Sequence, residues 1–165
     1  MRGVFERAAI AALGLAVVCG PAHAAANDCW SAQETSAAKI RDLQSMLMVA
    51  ALRCHGSGVN VLASYNGFVN ANRGELILAN NSIKAHFSRI SGSVEGQRRY
   101  DRFATALANN YGSGGAGSGD CAAMADLAYD AQRAGSASEL VALADERGLR
   151  PDLPTMQCPM TMASK

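Results

Sequence analysis

Aromatic side chains are scarce in this chain. Phe, Trp and Tyr together make up 5% of it, and there is one Trp. Few large rings are available to a core, and an Ala- and Leu-rich interior with closely approaching helices is expected. An excess of charge is also missing, because the formal net charge is +1 at pH 7. Without basic residues to spare there is no electrostatic footprint for a phosphate backbone, so no nucleic-acid partner is expected. No Pro-rich or charged linker divides the chain, and no alternating apolar run is long enough for a convincing strand. The motifs CxxC, HExxH, GxSxG and GxxxxGK[ST] are absent, which removes the common redox, zinc-protease, serine-hydrolase and P-loop signatures.

The longest apolar run, Ala8 to Val18, is short of the ~20 residues that a membrane-spanning helix needs. Arg2 and Arg7 precede it, Gly20-Pro21 ends it, and Ala22-His23-Ala24 offers a small-x-small cleavage site. This is the layout of a secretory signal peptide over residues 1–24. Lipidation at Cys19 is the weaker alternative, since Val18 before it is not small. Removing Arg2, Glu6 and Arg7 with the leader leaves acidic and basic residues equal in number. Residues 25–165 are then expected to form a single periplasmic or secreted domain, with no membrane anchor after cleavage.

Within that domain the pattern is helical. Ser31-Ala-Gln-Glu34 reads as a capping box, followed by Ile40, Leu43, Leu47, Ala50 and Cys54 at helical spacing, with Gly56 ending the run. A second segment spans Asn60 to Ala71. A third follows Asn72-Arg-Gly-Glu75 and carries Leu76, Ile83, Phe87 and Ile90. These two read as separate helices or as one kinked at Gly74. A fourth helix carries Tyr100, Phe103, Leu107 and Tyr111, and the glycine-rich stretch 112–119 follows as an inter-helix loop. Asp120 caps a fifth helix with Met124 and Leu127, and Ser136-Ala-Ser-Glu139 opens a sixth. Pro151, Pro154 and Pro159 mark residues 149–165 as an irregular, docked tail. The expected class is all-α, a compact bundle of five to six helices.

Four cysteines remain after leader removal. A helix from Ala32 to Cys54 would be roughly 34 Å long at ~1.5 Å rise per residue, whereas a disulfide needs Cα atoms about 4.4–6.8 Å apart. Cys29 and Cys54 therefore cannot join each other. Of the two pairings left, Cys29–Cys158 with Cys54–Cys121 is favoured, because it ties the terminal tail back to the start of the first helix. An exported chain is expected to oxidise these thiols.

Candidates for chemistry are few. Gly112 to Gly117 matches GxGxxG, but a helix precedes it where the dinucleotide fingerprint needs a strand. Asp126 and Asp130 fall opposite the Met124/Leu127 face and read as solvated. His55 follows Cys54 at a helix C-terminus, where an imidazolium is favoured, and His86 beside Phe87 reads equally well as a surface residue. Trp30 is expected to pack on a disulfide or a helix end. Arg98, Arg99 and Arg102 form a basic patch that would meet an acidic partner or a phosphate. Met156, Cys158, Met160 and Met162 resemble a soft Cu(I) ligand set, of which only the methionines remain once Cys158 is oxidised.

Three stretches, Met46 to His55, Tyr65 to Arg73 and Tyr100 to Gly112, resemble a family of small exported helical four-cysteine bacterial proteins with no established activity. The resemblance implies the fold and the compartment and carries over no catalytic residue. No cofactor is expected. The leading functional expectation is a non-enzymatic module, inhibitor- or immunity-like in character, that binds a periplasmic protein or a small ligand. The alternatives are a small hydrolase with a dispersed active site and a copper binder using the Met-rich tail.

Overall fold

In the computed structural model, which describes residues 28–112 and 120–159, side-chain caps mark the starts of four helices. Helix α1 (Ala32–Arg53) starts at Ser31, whose hydroxyl accepts the Glu34 N–H at 3.2 Å while the Glu34 carboxylate accepts the Ser31 N–H at 2.8 Å. Helix α2 (Val61–Ala71) starts at Asn60, whose side chain accepts the Ala63 N–H. Helix α4 (Cys121–Arg133) is capped by Asp120 and α5 (Ala137–Glu146) by Ser136. Each cap satisfies a backbone donor that the first helical turn leaves open. The signal-peptide reading over residues 1–24 and most of the glycine-rich loop lie outside the described residues, as do Met160 and Met162.

Helix α3 (Arg73–Gly112) consists of two helical arms joined at a kink. Gly92 inside it has φ 74° and ψ 172°, a conformation essentially reserved for glycine. The two arms fold back on each other there. Tyr100 on the second arm donates its hydroxyl proton to Asn80 on the first, the Lys84 ammonium lies over the Tyr100 ring, and Phe87 packs on Phe103. Among the described residues there are therefore six helical rods, two of them the arms of α3. Gly74 is not the break: it sits in the first turn of α3, and α2 ends before it at Asn72. The buried Asn72 amide donates to the Phe68 carbonyl at 3.2 Å and to the Ala131 carbonyl at 2.8 Å, so the α2–α3 corner is fixed against α4.

Helix α1 is the spine. It packs chiefly on α3 and also on α5, and α2 pairs with α4. Burial spreads over a wide part of the middle of α1, including Ile40, Leu43, Met46, Leu47, Val49 and Ala50. Beyond α5 the described tail is irregular and lies against the chain's start. Trp30 pairs with Gln157 in a parallel bridge, its N–H donating to the Met156 carbonyl and its carbonyl accepting the Cys158 N–H.

The disulfides are Cys29–Cys158 and Cys54–Cys121, the pairing favoured for tying the tail back to the start of α1, with Cα separations of 4.9 and 5.7 Å. One fastens the tail beside Trp30. The other joins the C-cap of α1 to the first residue of α4. The architecture is an all-α bundle stapled at both ends of α1.

Candidate functional site

The basic patch expected on the second arm of α3 is partly engaged from within. Glu95 holds Arg102 at 2.7 Å and lies 3.7 Å from Arg98, and Arg99 donates to the Ser91 hydroxyl at 2.6 Å. Arg99 and Arg102 border an open depression with Phe103, Asp152 and Pro154 that does not include Arg98. In the tail, Cys158 is consumed by its disulfide and Met156 is 86% exposed. Among the described residues no three His, Cys, Asp or Glu side chains gather as a metal-binding group. Asp126 and Asp130 are solvent-exposed on α4, and His55 is exposed beyond the end of α1.

His86 is not a surface residue. It is fully buried and stacks on the Trp30 indole with ring centroids 3.8 Å apart. Its Nδ1 lies 3.1 Å from the Arg89 guanidinium and 3.3 Å from the Glu34 carboxylate. Burial pushes the imidazole below its ordinary pKa, and the nearby Arg89 and Arg99 charges add to this against the opposing pull of Glu34. For Glu34, burial acts upward but is outweighed by the Ser31 N–H, the Arg89 guanidinium, the Ser31 hydroxyl and His86, so the carboxyl sits below its usual range. The same carboxylate thus caps α1 and docks α3. With Trp30, Phe87 and Phe103 packed around it, this group joins elements together and offers no opening to a substrate.

The opening lies further along α1. A cleft of about 320 Å³ is lined by Asp42, Met46, Asn110, Tyr111, Met124 and the turn from Arg147 to Arg150. Asp42 is only 3% exposed, and its Oδ1 accepts the Tyr111 hydroxyl proton at 2.7 Å. Burial raises the Asp42 pKa, which the Tyr111 hydrogen bond only partly offsets. Tyr111 is raised as well, by burial first and then by its bond to Asp42 and that carboxylate's charge, so the phenol remains the proton donor. No Lys, Arg or His among the described residues forms an ion pair with Asp42. At the rim, Arg150 reaches Asp145 at 3.2 Å and the Leu149 carbonyl at 3.0 Å. Met46, Met124 and Leu149 supply buried apolar wall.

The wider depression of about 500 Å³ between α4 and α5 is bounded by Asp130, Arg133, Glu139 and Glu146, all exposed. It lacks a desolvated polar group to orient a ligand. Small-molecule sites generally combine an apolar lining with a few buried polar groups in a volume of roughly 300–1,000 Å³. Of the two, the Asp42 cleft has that composition.

The helix-face reading missed Asp42 and Tyr111 as a pair. A signal exists, because Asp42 is four residues from both Ala38 and Met46 and so interrupts an otherwise buried stripe. Its partner is brought from the far end of α3, 69 positions away in sequence, by the fold-back at Gly92. Comparison of the chain with family models, with curated proteins and with solved structures finds no match.

Proposed function

We propose that this chain is an exported, non-enzymatic binding module that holds a small ligand in the Asp42 cleft. One observation carries the reading: a nearly fully buried carboxyl lines an open cavity without an ion-pair partner among the described residues. Burying a carboxylate costs several kcal/mol unless a cation or multiple donors compensate. A side chain kept so at a cavity wall, hydrogen-bonded through one oxygen by Tyr111, is arranged to be completed from the cavity. Two disulfides are compatible with an extracellular or secreted setting, and no helix among the described residues is long and apolar enough to cross a membrane. The Arg98, Arg99 and Arg102 patch supports a protein partner less well, because Glu95 and Ser91 already engage it.

The test uses methyl-labelled methionine, since Met46 and Met124 both line the cleft. The oxidised protein is titrated with a panel of amino acids, organic acids and amines while the methionine methyl resonances are followed. At least one chemical class should shift the Met46 and Met124 methyls saturably. Asn110→Trp, at an exposed rim position, should weaken that response by blocking the entrance. A panel that leaves both methyls unmoved, or binding that is indifferent to Asn110→Trp, overturns the assignment.

A further inference from the structure

Resting on that reading, we infer that the cleft's ligand is a small zwitterion of amino-acid type, its ammonium on Asp42, its carboxylate on Arg147 and its aliphatic part against Met46, Met124 and Leu149. The inner end of the cleft selects the cation. Tyr111 occupies Oδ1 of Asp42, which leaves Oδ2 and a residual lone pair. A planar guanidinium makes its best contact by engaging both carboxylate oxygens in a fork, and that geometry is already spoiled. A compact ammonium with three rotatable donors needs only one oxygen and tolerates the phenol beside it.

The outer end selects the anion. Of the two rim arginines, Arg150 is committed to Asp145 and the Leu149 carbonyl. Arg147 follows α5 as its C-cap, is exposed, and has no ion pair or side-chain hydrogen bond among the described residues. Its guanidinium is free to take a carboxylate in the two-point manner that such pairs favour. Opposite charges at the two ends also explain why the site would reject simple ions: either charge alone leaves one end of the cleft unsatisfied. A cavity of about 320 Å³ lies at the lower bound for ligand sites, so the molecule joining the two ends is small.

Three probes that share one isobutyl group test this on the oxidised full-length protein by calorimetry. They are L-leucine, its amine-only analogue 3-methylbutylamine and its acid-only analogue 4-methylpentanoate. L-leucine should bind at least about tenfold more tightly than either analogue, the factor expected when a charge-assisted contact is removed. Asp42→Asn should erase the advantage of L-leucine over 4-methylpentanoate, and Arg147→Gln its advantage over 3-methylbutylamine. Equal binding of L-leucine and one analogue overturns the zwitterion, leaving a site for a single charge. Failure of all three probes also overturns it, whereas the broader small-ligand reading falls only if the methionine methyls ignore the whole panel as well. The comparison among probes on the unmutated protein stands even if a variant does not fold.

Discussion

At the scale of single residues the chain places two titratable groups in its interior, and they respond to acid in opposite directions. His86 has a folded-state pKa below its ordinary value, so the unfolded chain binds its proton first as pH falls. Stability through His86 is therefore full at neutral pH and is lost progressively as pH drops below about 6.5, the unfolded value. Asp42 has a raised pKa, and protonation relieves its buried charge, so acidification stabilises the fold through this group until pH reaches the unfolded carboxyl range. Glu34 opposes that gain only lower, because its depressed pKa ties its loss to pH values under the ordinary carboxyl range. Urea denaturation between pH 7 and pH 5.5 should show stability falling with acid in the Asp42→Asn background. Adding His86→Leu should flatten that slope, and a slope left unchanged would assign it to another group. The burial of His86 was not legible from local pattern. His86 adjoins Phe87 on one helix, and adjacent positions point to different sides of a lone helix. Both are covered because Trp30 packs on one ring and Phe103 on the other.

At the scale of elements the decisive feature is the reversal inside α3, where two glycines serve different ends. Gly92 has open space around it, but its backbone conformation suits glycine alone. Gly96 has ordinary helical geometry, but a Cβ there would lie 2.7 Å from the Ser88 Cα and 2.8 Å from the Phe87 carbonyl carbon, where the two arms touch. Gly92→Ala should cost about 1–3 kcal/mol through backbone strain, and Gly96→Ala a similar about 1–3 kcal/mol through overpacking. Gly74→Ala is the contrast: the helix is regular there and a Cβ meets nothing within 4 Å, so stability should rise by roughly 0.5–1 kcal/mol. Denaturant midpoints of the three variants check the ordering, and a destabilising Gly74→Ala would relocate the hinge. Helix starts were legible because Ser31, Asn60, Asp120 and Ser136 carry their capping partners within a few residues. The break at Gly92 was legible as the gap between the helix face ending at Ile90 and the one carrying Tyr100, but the fold-back of the two arms there was not. Gly74 and Gly92 are chemically identical, and only the meeting of Tyr100 with Asn80 and of Phe103 with Phe87 makes the second one turn.

At the scale of the whole molecule the two disulfides divide the work of holding a modest core together. The staples span 129 and 67 positions; loops of this size correspond to about 4–5 kcal/mol in the chain-entropy model. Their pairing was legible in two steps: the length of α1 separates Cys29 from Cys54, and the terminal position of Cys158 favours its return to Cys29. Their structural consequences differ. Cys29–Cys158 holds the tail whose backbone pairs with Trp30, whereas Cys54–Cys121 lies at the opposite end of α1, remote from the indole. The single Trp of the chain is fully buried, so its emission reports on one staple and not on the other. Cys29→Ser with Cys158→Ser should shift tryptophan emission to the red and increase its quenching by acrylamide, with helical circular dichroism largely retained, because the tail loosens before the bundle does. Cys54→Ser with Cys121→Ser should lower the denaturation midpoint by an amount matching about 2–5 kcal/mol and leave native-state tryptophan emission where it was. If both double variants shift the emission alike, the ends of α1 are coupled through the core, and the tail is not a separately fastened cover over Trp30.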